Sequence, residues 1–149
     1  MKGKLTQLVV RAADALSRAG RQPSDSEQPG HLMVGQQGED AAYFFLREQG
    51  YVMVARNFRS PRHRGEIDLI GWDGDILCFV EVKTRTGQTL VPAEMAVDAP
   101  KRSLLRLTAG DYLRRLKSRP AVRFDVISLC YQKNGPPAIN LFKNAFPMS

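Results

Sequence analysis

Cysteine is scarce in this 149-residue chain, with only Cys78 and Cys130, each inside an apolar strand-like run. That number and spacing exclude a disulfide framework and a cysteine-ligated metal site, and suit small buried residues in a reducing compartment. Histidine is as rare, with two in all; His63 lies in an arginine-rich loop with no second His or Cys near it, which argues against a metal-ligand role. No apolar run approaches the length that crosses a bilayer. Near the start, Arg11 and Asp14 interrupt what would be the apolar region of a signal peptide, so the expected location is cytoplasmic, with no membrane partner. There is no internal repeat. Acidic residues are in deficit, 15 against 22 Lys and Arg, for a net charge of +7 and a pI near 9.8. Such a surface suits a polyanionic partner, nucleic acid before an acidic membrane.

The organising stretch runs from Arg64 to Lys83 as two apolar strands around Asp73-Gly74-Asp75, a hairpin signal. Glu66, Asp68, Glu81 and Lys83 lie within these strands, where an unpaired charge is costly to bury. A two-residue loop at Asp73-Gly74 would pair Trp72 with Asp75, set Asp68 opposite Phe79 and set Glu66 opposite Glu81. Alternation then puts the four charged residues on one face, and Ile67, Leu69, Ile76, Cys78, Val80 and Val82 on a core-facing side. Asp68 and Glu81 become diagonal neighbours, about 7–8 Å apart at the backbone, close enough to converge on one divalent cation.

Elsewhere, Leu5, Leu8, Val9, Ala12 and Leu16 predict a basic amphipathic helix over Lys4–Ala19. A linker rich in Gly, Pro and Ser follows over Gly20–Gly30, and a compact domain is expected over residues 35–146. Gln36–Gln49 reads as a helix stopped by Gly50, with Glu39 in its first turn, where an acid also suits the helix dipole. Tyr51–Arg59 reads as a strand, Ser60–Arg64 as a basic loop, and Thr84–Gln88 as a polar loop leaving the strand end. Pro92–Val97 is expected as a short helical turn, and Pro100 to about Lys117 as a helix. Strands follow over Val122–Tyr131 and Ala138–Phe142, with Asp125 expected in a structural hydrogen-bonding role. Lys101 to Arg123 holds eight basic residues and one acid, Asp111. This order gives an α/β domain with a central mixed sheet of about five strands flanked by helices.

Hard Mg²⁺ is commonly held by one or two carboxylates plus waters and substrate phosphate. Asp68, Glu81 and Lys83 on adjoining strands therefore fit metal-assisted phosphodiester hydrolysis, against the alternative of a buried structural ion-pair network. The basic run Arg56, Arg59, Arg62, His63 and Arg64 gives the carboxylates a positive rim that suits a phosphodiester substrate; the alternative is that these arginines only neutralise Glu66 and nearby acids. The stretches Gly38–Ala42, Gly65–Ile70, Phe79–Arg85, Pro100–Arg102, Arg123–Val126 and Asn144–Phe146 together resemble the YraN-like family of small bacterial predicted endonucleases. That family belongs to the PD-(D/E)xK nuclease superfamily and is similar to archaeal Holliday junction resolvases. The Ser60–Arg64 loop is longer than that pattern leads one to expect, and Met1–Gly30 lies outside the shared core. The resemblance implies a restriction-endonuclease-like core, with Asp68, Glu81 and Glu39 as ligands of Mg²⁺ or Mn²⁺ and Asp68, Glu81, Lys83 and Glu39 as catalytic residues. Glu66 then ranks as a supporting or loop-anchoring residue. Arg59, Arg62, Arg64, Arg85, Lys101, Arg102 and Arg106 are the expected nucleic-acid contacts. The expected activity is cleavage of DNA, branched or structured DNA included; a homodimer would suit a symmetric junction. The alternative is a nucleic-acid-binding module without catalysis, and RNA is the other substrate to weigh.

Overall fold

Proline is tolerated at a helix's first position, where its missing N–H costs nothing, and the first helix among the described residues, α1, spans Pro29–Glu48. A computed structural model describes residues 29–86 and 97–149, with side chains from residue 34 on. Val34–Ser149 form one compact unit. The expected helix at Lys4–Ala19, the linker as far as residue 28 and the turn at Pro92–Ala96 lie outside the described residues; Pro29 and Gly30, read as linker, already belong to α1. At its other end Gly50 N donates to Arg47 O at 3.1 Å and Tyr51 N to Leu46 O at 3.0 Å. That pair of bonds is a Schellman motif, closed by Tyr51 packing in the cluster that holds Leu46.

Five strands follow among the described residues: β1 (Val52–Arg59), β2 (Glu66–Asp73), β3 (Ile76–Thr86), β4 (Ala121–Tyr131) and β5 (Ala138–Phe146), with helix α2 (Ala99–Leu113) between β3 and β4. They form one mixed sheet in the order β1-β2-β3-β4-β5. Among these described strands only β3 and β4 run parallel, and the crossover between them is the segment that carries α2. The architecture is the expected α/β one, consistent with a restriction-endonuclease-like core.

Both sheet faces are core. Ala42 and Leu46 of α1 pack with Leu69, Cys78, Val80, Ile127 and Leu129. Leu105 and Ala109 of α2 pack with Ile67, Ile70, Leu77, Phe79, Phe124 and Val126 on the opposite side. Leu69, Cys78 and Val80 thus face a core as expected. Ile67 does not share their side, and the charge-bearing face is itself apolar over most of its length. The cause lies in β1: Asn57 has φ of 51° and breaks the strand's alternation. It falls at the step missing from the β1–β2 register between Arg56↔Leu69 and Phe58↔Ile67.

The hairpin differs by one residue from the sequence reading. Asp73 pairs with Ile76, so the loop is Gly74-Asp75, with Gly74 at φ of 60°. Glycine at the first central position is the type II′ pattern. Asp73 stays in the strand because Arg123 and Lys143 hold its carboxylate at 2.7 and 2.9 Å. The register moves by two, so parity survives over the paired residues, from Leu69↔Val80 to Asp73↔Ile76; one step further it would set Glu81 rather than Phe79 opposite Asp68. Strand β3 also runs on through Thr86, where a polar loop was expected after Lys83. Its parallel partner carries it there, through Thr84↔Leu129, Arg85↔Cys130 and Thr86↔Tyr131. β5 likewise continues past Phe142 to Phe146, because Asn144, at φ of 55°, donates its N–H to Asp125 Oδ1 at 2.9 Å. Helix α2 stops at Leu113 rather than near Lys117, in a tightened last turn with Arg115 N donating to Tyr112 O and Leu116 N to Leu113 O.

A close approach sets the position of α1 over β3. A Cβ added at Gly38 would stand 2.0 Å from Thr84 Oγ1 and 3.1 Å from Thr84 Cβ. Threonine is β-branched and cannot swing clear. Gly38→Ala is expected to cost about 1–3 kcal/mol by overpacking, read as a lowered midpoint in urea. Thr84→Ala in the same chain should restore most of it; an unchanged midpoint in Gly38→Ala would refute the contact.

Candidate active site

The β2–β3 ladder runs from Asp73↔Ile76 to Leu69↔Val80 and goes no further. One step beyond, the backbone N–H of Val82 donates to the side chain of Asp68, at 2.7 Å from Oδ2. A carboxylate thus takes the place of a strand partner where the two strands part. Beside it is Glu81, only 6% exposed although charged at neutral pH in free solution. Glu81 shares the side of Phe79, two residues earlier, which faces α2.

Two ammonium groups approach Glu81. Lys83 Nζ and Lys101 Nζ are each 3.5 Å from Oε1, both half-buried. The first follows from the Glu-x-Lys spacing on one strand. The second comes from α2, where sequence reasoning placed Lys101 on a nucleic-acid-binding rim. Its backbone is fixed by the helix N-cap, since Asp98 Oδ1 accepts from Lys101 N at 2.9 Å. The other oxygen, Glu81 Oε2, is buried with no hydrogen-bond partner. Leaving such an atom unsatisfied costs about 1–3 kcal/mol, and more for a charge.

From the other layer, α1 brings Glu39. Asn57 lies between two carboxylates; with its amide nitrogen turned towards them it donates to Glu39 Oε2 and to Glu66 Oε1, both at 3.1 Å. Glu66 in turn pairs with Arg59 at 3.2 Å, which gives it an anchoring position beside the site. Burial raises the pKa of Glu39 above the ordinary glutamate value; Arg56 opposes that rise and Glu66 adds to it. Asp68 is pushed up to about 8, first by burial and then by Glu81, with Glu39 adding to the rise and the Val82 N–H and Lys101 opposing it.

These side chains fit a divalent cation, though among the described residues no group of three or more His, Cys, Asp or Glu forms a ready-made shell. The supporting observation is the orphaned Glu81 Oε2, beside Asp68, whose carboxyl is pushed up first by burial and then by the Glu81 carboxylate. A hard cation would relieve both, and two carboxylates are the number Mg²⁺ commonly takes from protein.

The remaining basic residues are placed less uniformly. Arg59 and Arg62 are 64% and 66% exposed, Arg62 lying 3.9 Å from Asp111. Arg64 is exposed in the same loop, and Arg85 is half-buried on β3, two residues past Lys83. Arg102 and Arg106 instead stack on Phe146, at 5.6 and 5.7 Å from its ring centre. Arg102 Nε also donates to Val97 O and Arg106 Nε to Pro147 O. Asp125 has the expected structural role, accepting from Arg123, Tyr51 and the Asn144 N–H. Both cysteines are buried and outside any disulfide, and burial pushes the Cys78 thiol up to about 12, which makes it a poor nucleophile.

Residues 38–129 match the model of the uncharacterised protein family UPF0102. A UPF0102 protein of Koribacter versatilis is 47% identical over 144 residues, covering 97% of this chain and 96% of its own length. The chain belongs to the UPF0102 (YraN) family. Other similar members are UPF0102 proteins of Solibacter usitatus, 46% identical over 140 residues with 93% of this chain and 98% of its own length covered, and of Clostridium kluyveri, 42% identical over 115 residues with 76% and 93% covered. The UPF0102 match takes in Glu39, Asn57, Asp68, Glu81, Lys83 and Lys101, and ends before β5.

Asp68 gives the site a pH signature. An acid whose pKa is raised in the folded state contributes stability that is complete below its unfolded value, near 4, and is lost as pH rises through the folded one. In chelator the melting temperature should therefore fall from about pH 4 to above pH 8. Asp68→Asn, which keeps an acceptor for the Val82 N–H, should flatten that fall and melt higher than the parent above pH 8. A parent and variant with parallel pH profiles would contradict the assignment.

Proposed function

We propose that this protein is a divalent-cation-dependent nuclease that hydrolyses phosphodiester bonds in DNA, branched or structured DNA included. The observation that carries the reading is Glu81, buried with one oxygen unpartnered, next to Asp68 and within 3.5 Å of two lysines. Stability alone gives little reason to keep such a group in a core. Asp68 and Glu81, with Glu39 approaching from α1, would hold Mg²⁺ or Mn²⁺. That ion, when bound, would polarise the scissile phosphate and ease deprotonation of water.

The chain's own residues divide the remaining tasks. Lys83 and Lys101 present positive charge from β3 and α2 to a phosphate on that side, where negative charge builds during displacement. Lys83 would also orient the attacking water. Arg59, Arg62 and Arg64 line the approach along β1 and the following loop, and phosphate neutralisation there supplies sequence-independent affinity. A second copy of the chain would present a second site to a symmetric junction. A nucleic-acid-binding module without catalysis is the competing reading. It is favoured by the lack of a ready-made shell of three ligands among the described residues.

Purified protein incubated with Mg²⁺ or Mn²⁺ on duplex, flap and four-way DNA, and on RNA, separates these readings. Cleavage is expected on DNA, is abolished by chelator, and drops about a hundredfold or more in Asp68→Asn and Glu81→Gln, since even residues behind a ligand cost about 10–100-fold. Lys101→Met should lower the cleavage rate more than binding. Salt-sensitive binding with no cleavage under either metal would favour the binding module, and cleavage unchanged in both carboxylate variants would sink the site.

A further inference from the structure

In a regular strand, successive side chains point to opposite faces. Arg56 and Asn57 do not. Arg56 Nη2 reaches Asp40 Oδ1 of α1 at 2.5 Å and lies over the Tyr43 ring at 5.0 Å. Asn57, the next residue, reaches Glu39 of the same helix. The left-handed backbone at Asn57, φ of 51°, is what allows both to turn towards α1. Asparagine is one of the few residues other than glycine that tolerates this conformation. The same kink leaves Asn57 and Asp68 out of the β1–β2 register.

We propose that Asn57 is a positioning residue for cation binding: its kinked backbone and its amide together hold the Glu39 carboxylate at the site. The inference rests on the cation site assigned to Asp68, Glu81 and Glu39. The amide supplies two donors to two carboxylates that would otherwise repel each other, and it ties Glu39 to Glu66, which Arg59 anchors at 3.2 Å. Arg59, Glu66, Asn57 and Glu39 thus form one relay from an exposed guanidinium to the site. Residues behind a metal ligand orient it and tune its affinity. Neither arginine nor lysine could replace the amide, since each would place a cation among the ligands.

Calorimetric titration of the full chain with Mn²⁺, without nucleic acid, tests this. Asn57→Gly keeps access to the left-handed backbone and deletes the amide. It is expected to fold and to bind Mn²⁺ about tenfold or more weakly. Glu39→Gln should show a similar loss, and the double variant should bind no more weakly than the worse single one, because the two act as a unit. Unchanged affinity in Asn57→Gly, or losses that multiply fully in the double variant, would overturn the proposal. Should Asn57→Gly fail to fold, Glu66→Ala leaves β1 intact, removes the acceptor that Asn57 uses and asks the same question: a loss of Mn²⁺ affinity that is absent in a Glu39→Gln background supports the relay, and unchanged binding overturns it. A parent chain that binds Mn²⁺ but cleaves nothing would remove the hydrolytic reading and leave this one standing. A parent that binds no Mn²⁺ removes both.

Discussion

The hydrogen bond from Val82 N to Asp68 Oδ2 is the point on which the site's geometry depends. It ends the β2–β3 ladder without leaving a backbone donor unsatisfied, which a buried N–H does not tolerate. Strand β3 can part from β2 there only because β4 pairs with it along its whole length, to Thr86↔Tyr131. The gap that opens brings Asp68 beside Glu81, admits Glu39 from the α1 layer and receives Lys101 from the α2 layer. Gly38, pressed against Thr84, fixes how far α1 reaches towards that gap.

Three buried acids show how structure and chemistry separate. Asp125 is 1% exposed, and both its oxygens are bonded, to Arg123, Tyr51 and the Asn144 N–H. Asp111, 5% exposed, accepts from Ser60 and Arg114 and pairs with His63, so its carboxyl lies below the usual range. Each ties loop to core: Asp125 holds the end of β5, and Asp111 holds the Ser60–Gly65 loop against α2. Glu81 has two lysines at 3.5 Å on one oxygen and nothing on the other. A structural acid completes its hydrogen bonds, whereas an acid kept incomplete in a protein interior calls for a ligand.

Much of this was open to reading along the chain. Gly50 as a helix stop, the order of helices and strands, the approach of Lys83 to Glu81 two residues before it, and the structural part of Asp125 all follow from short-range rules. Local sequence leaves the hairpin ambiguous by one residue, because Asp-Gly and Gly-Asp both make acceptable turns. What chose between them was Arg123 and Lys143, 50 and 70 residues away, pulling Asp73 into the strand. Arg102 and Arg106 looked like rim charges, yet the ring of Phe146 at the end of β5 draws both onto itself. Lys101 moved the other way, from rim to site, because the N-cap at Asp98 turns the first turn of α2 over Glu81.

By itself the sequence determined which residues carry charge into the sheet and that Leu69, Cys78 and Val80 share a side, since a period of two is local and survives a shift of register by two; that Ile67 would face the opposite core it did not show. Tertiary structure alone decided that Glu81 would be left with an orphan oxygen, that Asp68 would cap a strand, and that Asn57 would bend β1 towards Glu39. Those outcomes depend on burial and on partners far apart along the chain, and no local pattern encodes a left-handed turn within an apolar strand.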